Sequence, residues 1–261
     1  MGFAKKSLGQ NFLIDNNIIR KIINLVKIKG KDIIEIGPGR GALTDEILKN
    51  KPKSLSLIEK DYFLAEKLKE KYNKNLVKIY NNDILKFDIE KITNNKNSII
   101  FGNLPYNISS QILVKILKFK KWPPQFSDAI FMFQKELGQK IIAKYSSSNY
   151  GRLAILSNYR LNIFSNFLIS NNCFFPKPKV NSMIIHFQPK KKIKPKIKRI
   201  DSLEKITNLF FSNKRKMINK PIRKILSIKR LTQLTNLNTK LRPSEITPEI
   251  YYKITELYEK K

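Results

Sequence analysis

The sequence predicts an α/β fold: a mostly parallel sheet covered by helices, closed by an antiparallel hairpin and followed by a small helical domain. Three observations carry this. Short apolar runs alternate with amphipathic stretches from residue 20 to about 145, the rhythm of a parallel sheet with helical crossovers. The alternation then gives way to consecutive strand-like segments. A basic, proline-containing stretch finally separates these from a tail with helical patterning.

The elements follow in order. DIIEIG (Asp32–Gly37) is a short apolar run ending in glycine, and ALTDEILKN after it places Leu43, Ile47 and Leu48 on one helical face. SLSLIE is the next strand and YFLAEKLKEKY the next helix. LVKIYNND and SIIFGN continue the strands, SSQILVKILKF is helical, AIFMFQ is a strand, and ELGQKIIAKY is helical. Both LAILSNYRLNIFSNFL and SMIIHFQP read as strands with no clear helix between them, which predicts the closing hairpin. QPKKKIKPKIKRI (Gln188–Ile200) reads as a linker. The expected organisation is a cofactor-binding domain over residues 1–190, a basic linker over 191–200 and a helical domain over 201–261. In that tail, short helices are expected to be interrupted at Pro221, Pro243 and Pro248.

Composition narrows the function. The chain has 261 residues, 41% of them apolar, and a net charge of +32 from 52 basic and 20 acidic side chains. Such a surface attracts polyanions: nucleic acid first, an anionic membrane surface second. Lysine-rich coding bias explains part of the lysine excess but not the scarcity of acids. No run reaches the ~18 apolar residues of a membrane span. The segment MGFAKKSLGQNFLID lacks the apolar core of a signal peptide, and Lys6 stands where myristoylation of Gly2 needs a hydroxyl. One cysteine, Cys173, and one histidine, His186, predict neither an internal disulfide nor a metal site. A cytoplasmic monomer is expected.

The chemistry concentrates at strand ends. EIGPGRGALT (Glu35–Thr44) leads from a strand into a helix. Gly37, Gly39 and Gly41 there allow close approach of a ligand to free backbone N–H groups. Gly37, Gly39 and Ala42 also fit the dinucleotide fingerprint, so the loop alone indicates a nucleotide-type cofactor without choosing one. Glu59 ends the next strand about 20 residues on, where a carboxylate accepts hydrogen bonds from ribose hydroxyls. Asp83 ends the third strand, within reach of an adenine amino group or as a helix cap. Asn103 ends the fourth. Ligands of open α/β sheets lie beyond these carboxyl ends.

FGNLPYNISS (Phe101–Ser110) is the most specific stretch. With GQNFLID, EIGPGRGALT, IEKD, NND, FMFQKE, YGRL, FFPKPKVNS and NKRKMI, in this order over nearly the whole chain, it resembles the class I methyltransferases with a Rossmann-like sheet. More closely, the chain is similar to the KsgA-type small-subunit ribosomal RNA adenine dimethyltransferases. The resemblance implies S-adenosylmethionine contacts at Asn11, Leu13, Gly37, Glu59, Asp83 and Asn103, with Gly39 in the same loop. It implies dimethylation of two adjacent adenines in a hairpin near the RNA's 3′ end, on an assembling small ribosomal subunit. FFPKPKV departs from many members, which have smaller or proline residues at Phe175 and Lys177.

An adenine amine is a weak nucleophile whose two N–H bonds need acceptors. The Asn103 side chain and the backbone carbonyl of Leu104 or Pro105 are the expected ones, Pro105 fixing the backbone. Tyr106 and Phe174 are the expected faces for an extruded base, with core packing the alternative for each. Arg152, Lys177, Lys179, Lys214, Arg215 and Lys216 are the expected phosphate contacts. Competing functions are a large-subunit RNA methylase, a non-catalytic ribosome-assembly or transcription factor on the same fold, and a dehydrogenase. The last lacks any evident proton relay.

Overall fold

A computed structural model describes residues 9–93, 97–234 and 237–260. The sequence readings at Gly2 and Lys6 lie outside the described residues. In chain order the first half forms β1 (Phe12–Leu13), α1 (Asn16–Ile23), β2 (Asp32–Ile36), α2 (Ala42–Lys49), β3 (Ser54–Glu59), α3 (Tyr62–Lys71), β4 (Val77–Asn81), β5 (Ser98–Asn103) and α4 (Ser109–Leu117). The second half forms β6 (Phe126–Gln134), α5 (Lys135–Ile141), α6 (Arg152–Arg160), β7 (Leu161–Ile169), β8 (Phe174–Phe175), β9 (Ser182–Pro189), α7 (Ile200–Phe211), α8 (Asn219–Arg223), α9 (Ile228–Leu231) and α10 (Pro248–Glu259).

Seven strands make one sheet in the order β4-β3-β2-β5-β6-β9-β7. The first five are parallel, and β9 runs antiparallel to β6. The last two strands supply the expected antiparallel closure. The central strands β2 and β5 are apolar along almost their whole length because helices cover both faces. Ile33, Ile34, Ile36, Ile99, Ile100 and Phe101 are all buried. Chain direction across the sheet reverses between β2 and β5, so their carboxyl ends open a crevice where ligands bind in such sheets. Asp15 and Asp61 cap α1 and α3, each accepting two backbone N–H groups of the first turn.

A two-stranded ribbon, β1 with β8, stands apart from this sheet. Phe12 lies opposite Phe175, and Leu13 opposite Phe174. Opposed residues of an antiparallel pair share a face. Leu13 and Phe174 therefore turn into the core together, while Phe12 and Phe175 share the opposite face, where Phe12 is buried and Phe175 exposed.

The chain divides into two compact units, 1–138 with 163–189, and 139–162 with 190–261. Within the second, buried phenols find backbone partners. Tyr150 donates to the Ile246 carbonyl at 3.0 Å and Tyr252 to that of Ile155 at 3.0 Å. Tyr159 donates to the Pro195 carbonyl at 3.0 Å and accepts from the Ile197 N–H at 2.7 Å. These bonds tie residues 139–162 and the linker segment to the C-terminal helices.

Two local expectations are corrected. LAILSNYR forms α6, not a strand, and β7 begins only at Leu161. A short apolar run reads alike in a buried helix and a buried strand. Here Ala154, Ile155, Leu156 and Ser157 are buried in succession because α6 is surrounded. The prolines of the tail start helical turns and do not interrupt them. Pro221 sits in the first turn of α8, Pro243 opens a 3₁₀ turn and Pro248 opens α10. In a first turn the missing N–H has no partner to lose.

Candidate active site

The carboxyl ends of β2, β3 and β5 and the segment leading into β1 enclose one pocket of the first unit. Among its lining residues are Asn11, Leu13, Gly37, Gly39, Glu59, Asn103, Leu104, Pro105 and Tyr106. Most of the site residues expected from sequence are thus brought together. Asp83 and Phe174 are not in the pocket wall, although Asn82 and Ile84 are.

Three glycines of the loop, Gly37, Gly39 and Gly41, have left-handed backbone, and the first two line the pocket. Gly37 has φ +68°, and its N–H donates to the Ile58 carbonyl at 2.9 Å, tying the loop to β3. Gly39 has φ +58°, and a Cβ there would stand 2.9 Å from the Phe12 ring. Neither position accepts an ordinary side chain without strain.

Glu59 organises the next part. One carboxylate oxygen accepts the Gly39 N–H at 3.1 Å and the other accepts the Asp61 N–H at 2.8 Å. Its side chain is buried, and burial raises its pKa above the usual carboxylate value, against the opposing pull of those backbone bonds. Each oxygen keeps a lone pair for a further donor. Asp83 is held differently. One oxygen accepts the Leu85 N–H at 2.9 Å, and the other pairs with the Lys60 ammonium at 2.9 Å. The Lys60 hydrogen bond is the main cause of its lowered pKa.

The Asn-Leu-Pro-Tyr turn is pinned at both ends. The Asn103 side-chain N–H donates to the Asn11 carbonyl at 3.0 Å. This orients the amide, so its oxygen is the group left over for the pocket. The Pro105 carbonyl accepts the Ile108 N–H at 3.1 Å, and the Tyr106 carbonyl accepts the Ser109 hydroxyl at 3.2 Å. The Leu104 carbonyl carries no hydrogen bond among the described residues, whereas the Pro105 carbonyl already accepts one. The Tyr106 hydroxyl lies 2.6 Å from the Ser182 hydroxyl, at the start of β9.

Phe174 is 3% exposed and packs with Leu13 in the hydrophobic core, whereas Phe175 is 57% exposed. Of the two phenylalanines, the structure turns Phe174 inward, so its ring offers no free face.

Several residues that shape the site carry little or no signal in the sequence. Glu35 is buried beside the pocket. It accepts the Thr44 hydroxyl at 2.6 Å, and burial raises its pKa to about 8. The Arg40 guanidinium lies over the Phe12 ring at 4.6 Å. Ser182 holds Tyr106 from 76 residues away. Only the acidic first position of EIGPGRG gives a sequence signal for Glu35. A phenylalanine among apolar neighbours and a lone serine give none.

The sequence matches the ribosomal RNA adenine dimethylase family over residues 2–260. The chain belongs to that family. It is 45% identical over 260 residues to the ribosomal RNA small subunit methyltransferase A of Pelagibacter ubique (strain HTCC1062), covering 98% of this chain and 97% of that relative. It is 38% identical to the protein of the same name from Malacoplasma penetrans (strain HF-2), covering 97% of this chain and 91% of that one. Its fold matches a crystal structure of a dimethyladenosine transferase from Plasmodium falciparum. That match has a TM-score of 0.77 at 24% identity, over 95% of this chain and 98% of the other. The family fold is that of the α/β methyltransferases, which fits the seven-stranded sheet described above.

The basic residues expected to meet RNA are distributed over both units of this dimethylase-family chain. Lys177 and Lys179 are exposed on the segment after β8. Lys214, Arg215 and Lys216 are exposed on the turn after α7. Arg152 opens α6 and is half-buried.

Proposed function

We propose that the protein transfers methyl groups from S-adenosylmethionine to the N6 amines of two adjacent adenosines, in a hairpin near the 3′ end of small-subunit ribosomal RNA. The names of the relatives and of the family support the substrate class. The observation that carries the chemistry is the Asn103–Asn11 bond of 3.0 Å, which leaves an amide oxygen for the pocket beside the unbonded Leu104 carbonyl.

The pocket suits this cofactor. Two buried acidic side chains, Glu35 and Glu59, line it, and Glu59 keeps acceptor lone pairs suited to a ligand that carries hydroxyl donors. S-adenosylmethionine, when bound, supplies an electrophilic methyl group on a cationic sulfur. Asn11, Leu13, Gly37 and Gly39 form the walls against it. Glu59 uses its remaining lone pairs on the ribose hydroxyls, and Asp83, fixed by Lys60 and Leu85, borders the adenine end.

The protein's part in transfer is positional and electrostatic. The Asn103 Oδ1 and the Leu104 carbonyl accept the two N–H bonds of the target amine. This disfavours delocalisation of its lone pair into the ring. Pro105 stiffens the turn, and Tyr106 offers its ring to the unstacked base. We infer that Phe174 supports the base only through the core beneath it. The helical unit, with Lys214, Arg215 and Lys216, and the segment bearing Lys177 and Lys179 hold RNA phosphates, as does Arg152. A ribosomal substrate places the work in the cytoplasm.

Incubating the protein with labelled S-adenosylmethionine and small ribosomal subunits tests the proposal. Label is expected in small-subunit RNA. Its absence, or label in large-subunit RNA alone, contradicts the proposal.

A further inference from the structure

We propose that Phe175 is a stacking platform for an unpaired RNA base next to the target adenine. This role rests on the RNA-methylating reading above and extends it to a neighbouring nucleotide.

The β1–β8 ribbon carries the case. Alternation along a strand sends neighbouring residues to opposite faces. Phe174 is buried with Leu13 in the core, so Phe175 turns to the opposite face, the one its register partner Phe12 occupies. Phe12 lines the pocket and lies beneath the Arg40 guanidinium at 4.6 Å. On this side of the ribbon Phe12 is buried at the pocket wall, and its register partner Phe175 carries the exposed aromatic face.

Phe175 is 57% exposed. Its ring face is open, and the charges around it say what fits it. Lys177 and Lys179 are exposed just beyond it, and Arg40 stands over the partner ring. An aromatic face flanked by cations, on a chain of net charge +32, matches how single-stranded nucleic acid is held: bases on rings, phosphates on basic side chains. An apolar protein partner would not need the cations, and a basic one would be repelled. A target base extruded into the pocket leaves its neighbour unstacked as well, and Phe175, register partner of the pocket-lining Phe12, offers that neighbour an exposed ring.

The test uses the full-length protein with Phe175→Ala and Phe175→Trp variants. Affinity is measured for an adenine-containing single-stranded oligoribonucleotide, and methyl transfer for small ribosomal subunits. Phe175→Ala is expected to weaken oligonucleotide binding about 5- to 160-fold, the range for one base–aromatic stack, and to raise the KM for subunits. Phe175→Trp should restore both, with the emission of the introduced indole quenched on binding. An oligonucleotide of abasic ribose phosphates should bind the wild type and Phe175→Ala equally. If Phe175→Ala equals the wild type in both assays, or RNA leaves the indole emission of Phe175→Trp unchanged, the platform is refuted while the methyltransferase reading stands. If the wild type transfers no methyl to subunits, that reading fails and the platform with it.

Discussion

The Tyr106 hydroxyl lies 2.6 Å from the Ser182 hydroxyl, joining the turn after β5 to the first residue of β9. Ser182 is fully buried, and Tyr106 borders the pocket. The ring proposed to receive a base is therefore held at its far end by a second element of the sheet.

This bond sets the first prediction. Tyr106→Phe keeps the ring face but leaves the Ser182 hydroxyl buried without its partner, at a cost of about 1–3 kcal/mol of stability. Adding Ser182→Ala should recover part of that loss, giving a non-additive double-mutant cycle in urea denaturation. Tyr106→Ala should in addition cost about 1–3 kcal/mol of base binding, seen as a raised KM for small subunits. Strict additivity of the two substitutions would show that the hydroxyls do not support one another.

Asn103 gives the second. Asn103→Ala removes the acceptor and the tether to Asn11 together, so transfer should be lost in a folded, RNA-binding protein. Asn103→Asp keeps the shape but turns a carboxylate oxygen toward the Asn11 carbonyl, where a donor stood. It should also fail, and circular dichroism with an RNA-binding assay would separate this from unfolding. Appreciable turnover by Asn103→Ala would remove the side chain from the chemistry.

Glu59 gives the third. Calorimetry on Glu59→Ala should show S-adenosylmethionine binding weakened by roughly 1.5–3 kcal/mol, the usual range for hydrogen bonds to a charged group. The substitution also frees the Gly39 and Asp61 N–H groups that the carboxylate holds. Unchanged affinity in a folded variant would exclude Glu59 from the cofactor site.

Glu35 gives a pH-dependent prediction. Its folded pKa is raised to about 8 from an ordinary 4.5. Between these values the folded state binds its proton more tightly than the unfolded state, so this group's contribution to stability falls as pH rises from about 4.5 to about 8 and then levels off. Glu35→Gln retains an acceptor for Thr44 and cannot ionise. The stability of Glu35→Gln relative to the wild type should therefore increase from pH 5 to pH 8 in parallel denaturation curves. A difference that does not change with pH would mean Glu35 does not titrate in this window.

Much of the site is legible in the sequence because parallel strands advertise their ends. β2, β3 and β5 are apolar runs that stop at Gly37, Glu59 and Asn103, and those stops are where a doubly wound sheet puts its ligand. Asp83 follows the same logic, yet its carboxylate is turned to Lys60 and Leu85 and not to the pocket wall. Strand position fixes where a residue sits but not which donor captures its side chain. The α6 helix is easily mistaken for a strand because LAIL has no period that separates the two. Ser182 is not legible at all, since its meaning depends on a partner 76 residues away.

The charge yields a further prediction. If Lys214, Arg215 and Lys216 meet phosphates, replacing them should flatten the dependence of RNA affinity on salt. The log–log slope should drop by about 0.7–0.9 for each phosphate no longer neutralised. An unaltered slope would assign those three side chains to solvent.

The most direct measurement is nucleoside mass spectrometry of small-subunit RNA, taken from unmodified subunits after exhaustive reaction with this protein and S-adenosylmethionine. In the proposed reaction the turn at Asn103–Tyr106 holds an amine that has already gained one methyl, using a single remaining N–H. The expected end product is N6,N6-dimethyladenosine on two adjacent adenines, and none with Asn103→Ala. Accumulation of monomethyladenosine alone, or modification confined to large-subunit RNA, would contradict the proposed dimethylation.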